Sequence, residues 1–65
     1  MYKVTIQRTG LPTVVQYTRE YLLDAVRAAE YWLDIKIPDM HVDRLMRYDF
    51  LQYDVTQGAL QIRKL

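Results

Sequence analysis

The apolar positions along the chain separate one helical segment from several short alternating segments. Residues 18–34 have a helical period, and charged residues occupy most of the face opposite the apolar stripe. The stripe recurs at steps of four, three and four: Leu22, Val26, Ala29 and Leu33. We expect one amphipathic helix over 18–34 that packs flat on a sheet, with Thr18 as its N-cap.

Alternating apolar and polar residues before and after this helix predict strands. The clearest predicted strands are residues 2–8, 13–17, 50–55 and 59–64. Their core-facing residues are expected to include Tyr2, Val4, Ile6, Leu51, Tyr53, Val55, Leu60 and Ile62. Gly10 and Pro12 predict a turn between the first two strands, with a positive φ at Gly10. Residues 56–58 predict a three-residue hairpin loop with Gly58 in αL geometry.

The segment from Met40 to Tyr48 has a pattern that fits two structures. Val42, Leu45 and Met46 have helical spacing, yet the same segment is also compatible with a strand. We favour the strand. Pro38, just before this segment, is expected to interrupt any helix that runs into it.

The predicted element order is therefore β-β-α-β-β-β, an α+β domain over residues 1–65 with a single helix packed on an antiparallel sheet. A chain of 65 residues lies near the lower size limit for an independent core. It contains no cysteine, which excludes disulfides and thiolate zinc sites. Extra stability is expected from close packing or from association with another chain, including a homodimer.

Charge and composition exclude several classes of function. Nine Lys and Arg against eight Asp and Glu give a net charge of +1. This balance provides no overall basic field that would attract nucleic acid. It also excludes a protein mimic of nucleic acid, which would be strongly acidic. No apolar run approaches the roughly 20 residues that a membrane span needs, and the charged, alternating N-terminus does not match a signal peptide. We therefore expect a cytoplasmic protein without membrane contact.

Candidate chemistry is sparse. If residues 40–48 form a strand, Asp39, His41 and Asp43 share one face and could ligate a divalent metal. Alternating charged residues are more typical of a solvated strand face. The chain has one histidine, two glycines and no phosphate-binding loop. We predict no catalytic residue, no cofactor and no metal site.

Tyrosine is the one residue in excess, with six in the chain, and tyrosine is favoured at protein interfaces. A core this small cannot bury all six. Leu23 and Tyr31 lie off the apolar stripe. They are either contacts at the sheet edge or exposed partner-binding residues. Arginine beside tyrosine has the composition of an interface hot spot. The predicted partner-binding residues of this non-enzymatic module are Arg44, Arg47, Tyr48 and Tyr31.

Nucleic-acid binding is the second functional hypothesis. Arginine can hold phosphates and sheet aromatics can stack on bases. The residues that would do so are Arg44, Arg47, Arg63 and Lys64, provided that the last strand lies beside residues 40–48. Acidic residues interrupt the same region, so this hypothesis ranks below protein binding.

The helix and the segment after it carry Leu22-x-x-Ala25-x-x-x-Ala29-Glu30-Tyr31, then Pro38, then Val42-x-Arg44-Leu45. In these residues the chain resembles small bacteriophage proteins that inhibit host machinery, notably the podophage inhibitors of bacterial RNA polymerase. In that family an arginine pair after the helix contacts the polymerase. Arg44 matches the first arginine, whereas Met46 stands where the second would fall.

The architecture is also similar to that of several small, non-enzymatic anti-CRISPR proteins. Together these resemblances imply stoichiometric inhibition in the cytoplasm of a host cell. The expected partner is a large host protein or ribonucleoprotein complex, either RNA polymerase or a CRISPR effector.

Overall fold

Four strands form an open antiparallel sheet in the computed structural model, which describes residues 1–65. The strands are β1 (Tyr2–Arg8), β2 (Val14–Arg19), β3 (Phe50–Val55) and β4 (Gly58–Lys64). The helices, between β2 and β3, are α1 (Leu22–Leu33) and α2 (Asp39–Tyr48). The order across the sheet is β2-β1-β4-β3, so the first and last strands of the chain pair at its centre.

One face of the sheet is covered by the helices and the other is uncovered. α1 packs on β1, β2 and β4, and α2 packs on β3. The register places Val4 opposite Ile62 and Ile6 opposite Leu60, and all four side chains are buried. The predicted core-facing positions of the strands are confirmed, with Tyr2, Tyr53 and Val55 half-buried at the margin. The buried core consists of Val4, Ile6, Ala25, Val26, Ala29, Leu33, Ile37, Leu45, Leu51, Leu60 and Ile62.

The apolar stripe of α1 is confirmed, but the helix begins at Leu22 rather than Thr18. Thr18 belongs to β2 and pairs with Lys3, because β1 still offers backbone partners at this end of the sheet. The predicted N-cap is therefore wrong. Tyr21 occupies that position and its side chain makes no capping hydrogen bond. A hydroxyl cap contributes only about 1 kcal/mol, so the continued strand pairing decides the boundary.

The segment between Met40 and Tyr48, predicted as a strand, is a helix instead. Leu45 is fully buried and Val42 is half-buried, which places one apolar stripe at a spacing of three residues. A strand would have put Leu45 on the same face as Asp43 and Arg47, both of which are exposed. The helical period separates the charged from the apolar residues, and α2 covers β3. The element order is thus β-β-α-α-β-β, with two helices and four strands.

Gly10 lies in the turn after β1, and Gly58 is the first residue of β4. Gly10 has the expected positive φ, at 82°. Val55 pairs with Gly58, so the β3–β4 loop contains two residues rather than the predicted three. Gly58 has φ 155°, which is outside the αL region that we expected there.

Both helices end at an aspartate in the left-handed conformation, Asp34 with φ 53° and Asp49 with φ 60°. Glycine is favoured at such positions, and a carboxylate at a helix C-terminus opposes the helix dipole.

We expect Asp34→Gly to raise the free energy of unfolding by about 0.5–1 kcal/mol, measured by urea unfolding. Asp34→Asn removes only the charge and should give a smaller gain. A loss of stability in Asp34→Gly would show that the carboxylate has a stabilising partner.

Candidate functional site

The three predicted binding residues that follow the first helix lie on α2 rather than on a strand. Arg44, Arg47 and Tyr48 are three and four positions apart, so they share one flank of α2. All three are exposed, Tyr48 by 67%. The helix therefore brings them together, although through a period that we did not predict.

Tyr31 projects from α1 and is 83% exposed, with its ring edge-on to that of Trp32 at 6.5 Å between centroids. Tyr31 is thus exposed rather than a contact at the sheet edge, and its role in partner binding stays a prediction. The groove between the helices is lined by other residues, among them Arg27 and Val42. Tyr31 and the α2 residues therefore do not meet across it.

The metal-site candidates do not assemble as a group of three. Asp39 and Asp43 are four apart on α2, but His41 is two residues from each and points in a different direction. The imidazole of His41 packs against the ring of Tyr53, with 4.6 Å between centroids. No group of three or more His, Cys, Asp or Glu side chains could hold a metal ion.

The four cations of the nucleic-acid hypothesis are dispersed. Arg63 lies on the uncovered face of β4, whereas Lys64 follows it on the helix side. Arg44 and Arg47 project from α2. The expected proximity of the β4 cations to the α2 cations is wrong, because it required residues 40–48 to be a strand of the sheet.

The phenol of Tyr17 lies on the helix side of β2. Burial raises the pKa of Tyr17 to about 12, and the positive charge of Arg19 opposes part of this effect. The Arg19 guanidinium carbon lies 4.6 Å from the ring centroid, and the Tyr17 hydroxyl is buried without a hydrogen-bond partner. The phenol therefore stays protonated at neutral pH, and Tyr17 packs against the core.

An apolar groove that we did not predict lies where the start of α1 meets the end of α2. We call it the end groove; its volume is about 730 Å³. Its apolar wall consists of Tyr2, Tyr21, Leu22, Leu23 and Met46, and its charged rim consists of Asp24, Asp49 and Lys64. Tyr21, Leu23 and Met46 are 64%, 56% and 62% exposed. Large apolar side chains exposed together are typical of protein-binding surfaces.

The helical period explains why these side chains are exposed. Leu23 follows Leu22, which packs against the core, and Met46 follows the buried Leu45. One step along a helix turns a side chain by about 100°, so each falls on a flank. Leu23 could be recognised from its position off the stripe. Met46 could be recognised only once Leu45 was known to define the core side of a helix.

The uncovered face of the sheet is the second notable surface. Its centre is a shallow depression of about 200 Å³ with no apolar lining residue. The lining residues are Lys3, Thr5, Gln16, Gln61 and Arg63. An amide network runs beside it: Gln61 Nε2 donates to Gln52 Oε1 at 2.7 Å, and Gln52 Nε2 donates to Asp54 Oδ1 at 2.9 Å.

Comparison with protein-family models, with curated proteins and with solved structures finds no match to this chain. The end groove and the uncovered sheet face are therefore the two surfaces of this protein that indicate a function. Neither helix has the length and apolar character to cross a membrane.

Proposed function

We propose that this protein is a non-enzymatic binding module that holds a partner protein in the end groove. The observation that supports this proposal is the joint exposure of Tyr21, Leu23 and Met46. Burying one such side chain stabilises a protein by about 1.5–3 kcal/mol. A domain of 65 residues has a small core and gains stability from each apolar side chain that it buries. The exposure of three such side chains beside one groove therefore favours a partner that covers them.

The rim of the groove indicates the chemistry of the partner. Asp24 and Asp49 contribute two carboxylates, against one ammonium group from Lys64. Asp49 is also unfavourable where it stands, at a helix C-terminus and in the left-handed conformation. Local costs of this kind are expected at functional sites. We therefore propose an apolar anchor on the partner, flanked by a basic side chain.

The resemblance to phage inhibitors adds a mode of action to the proposal. A phage-encoded protein of this size would act by occupying one face of a large host complex, RNA polymerase or a CRISPR effector, in the host cytoplasm. On the flank of α2, Arg44 and Arg47 would pair with acidic groups of that complex. Tyr48, together with Tyr31 on α1, would add rigid aromatic area.

Two methionines of α2 provide a matched test. Met46 and Met40 are 62% and 61% exposed, and only Met46 lines the end groove. We expect Met46→Ala to reduce the protein captured from nuclease-treated bacterial lysate about tenfold, as truncation of an interface hot spot does. Met40→Ala should leave capture within about twofold, and neither change should lower stability by more than about 0.5 kcal/mol.

A third variant distinguishes the end groove from the α2 flank. If Arg44→Ala/Arg47→Ala abolishes capture while Met46→Ala does not, the partner binds the flank and the groove assignment is wrong. Sedimentation of the protein alone examines a second copy as the occupant. A dimer that Met46→Ala dissociates would replace the proposed partner with self-association.

A further inference from the structure

Beyond the protein-binding role, we infer that the uncovered face of the sheet binds single-stranded nucleic acid. Lys3 and Arg63 hold a phosphate, and Phe50 stacks on a base. This site is separate from the end groove, which lies on the helix side of the sheet. Its residues also differ from the cations that the sequence suggested, since only Arg63 is common to both.

The cation pair is the first observation. Lys3 and Arg63 stand directly opposite each other on the two central strands. Like charges in directly opposed positions of a sheet are destabilising. The outer neighbours in the same row are Thr18 and Phe50, so no carboxylate compensates the pair. Neither cationic side chain forms a hydrogen bond with another group of the protein.

Such a pair is unfavourable in the free protein and favourable once an anion lies between the two side chains. Within the four strands the only carboxylate is that of Asp54, two rows away on an edge strand and hydrogen-bonded to Gln52. The centre of this face therefore attracts a phosphate, although the chain as a whole is nearly neutral.

The polar side chains around the pair suit the rest of a nucleotide. Thr5, Gln16 and Gln61 complete the depression, and they offer donors and acceptors to base edges and sugar hydroxyls. Gln61 is held in place by its hydrogen bond to Gln52. Of the five glutamines in the chain, only Gln57, in the β3–β4 loop, lies off this face.

Phe50 supplies the aromatic surface. It is the cross-strand neighbour of Arg63, whose guanidinium carbon lies 5.8 Å from the ring centroid. The ring is 40% exposed and points to the uncovered face. Phosphate-binding cations beside an aromatic on an open sheet are the arrangement that binds unstacked bases of single strands. The paired and stacked bases of a duplex offer no free face to the Phe50 ring, so the site favours single strands.

Fluorescence anisotropy tests the site with two labelled probes of about ten nucleotides, oligo-dT and oligo-U. We expect Lys3→Gln/Arg63→Gln to raise Kd at least tenfold at about 50 mM salt and to flatten the salt dependence. The matched control is Arg27→Gln/Lys36→Gln, which removes two exposed cations from the helix side. Its net charge is the same as that of Lys3→Gln/Arg63→Gln. Its Kd should stay within about twofold of the wild type.

Two further measurements separate the roles of the residues. Phe50→Leu should raise Kd about fivefold or more without changing the salt dependence, because it removes stacking and leaves the charges. In the absence of nucleic acid, Lys3→Gln/Arg63→Gln should melt at the same temperature as the wild type or higher, since it relieves repulsion. Unaltered stability also shows that weaker binding is not a result of unfolding.

The inference is overturned if neither probe binds at low salt, or if the two double variants weaken binding equally. The inference would also be overturned if the wild-type protein bound a duplex of the same length as tightly as the single-stranded probes. None of these results bears on the end groove, because the capture experiment uses nuclease-treated lysate and a different variant. The two assignments can therefore fail independently.

Discussion

Replacing Gly58 with alanine is expected to remove most of the stability of the fold. A Cβ atom at this position would lie 2.3 Å from the carbonyl oxygen of Gln7 and 3.0 Å from the Cα of Arg8. It would also lie 3.1 Å from the Cδ2 atom of Leu33. The φ angle of 155° is one that residues with a side chain rarely adopt. Two of the three clashes involve the backbone, which cannot move without breaking the β1–β4 pairing.

The magnitude follows from the two costs together. Overpacking costs about 1–3 kcal/mol and a sparsely populated φ costs a further 1–3 kcal/mol. Their sum compares with about 3–10 kcal/mol for the whole free energy of unfolding of 65 residues. Urea unfolding followed by circular dichroism should show a greatly lowered midpoint, or no folded baseline at all.

Gly10→Ala is the matched control. Gly10 also has a positive φ, at 82°, but a Cβ atom there would meet nothing within 4 Å. Only the backbone strain of about 1–2 kcal/mol should appear. Equal losses in the two variants would show that close approach of the strands is not what requires glycine at position 58.

The strands could be predicted because their signal is local. In β1 the alternation of Val4 and Ile6 with polar neighbours fixes which face is buried, and the structure agrees. Residues 40–48 have an ambiguous local signal, because their apolar spacing fits a helix and is also compatible with a strand. Their helical form depends on the need to cover Leu51 of β3, which is information from another part of the chain. The same holds for Thr18, whose place in β2 depends on its partner Lys3.

Both candidate sites depend on contacts between distant parts of the sequence. The end groove joins the start of α1 to Met46 near the end of α2, and only Leu23 could be suspected from its own position. The cation pair joins Lys3 to Arg63 because the first and last strands pair at the centre of the sheet. The sequence predicts Arg63 near Arg44 only if residues 40–48 are a strand beside the last strand, and that condition fails because these residues form α2.

Replacing Leu45 with alanine should release α2 from the rest of the fold. Leu45 is the only buried residue of α2, whereas α1 is anchored by four: Ala25, Val26, Ala29 and Leu33. Truncating a buried leucine to alanine costs about 2–5 kcal/mol. Because the contacts of α2 are mainly with β3, the loss should be local. Hydrogen exchange should show faster exchange across α2, while the amides of β1 and β4 stay protected.

The same variant connects stability to function. A detached α2 removes Met46 from the end groove, so binding of the partner protein should be lost. Lys3, Arg63 and Phe50 lie on the opposite face of the sheet, and their binding of oligo-dT should remain within about twofold. Met46→Ala is the control for stability, since it alters the groove without unfolding α2. If Leu45→Ala exposes α1 and α2 to exchange together, the helices form one cooperative unit and the groove cannot be dismantled separately from the core.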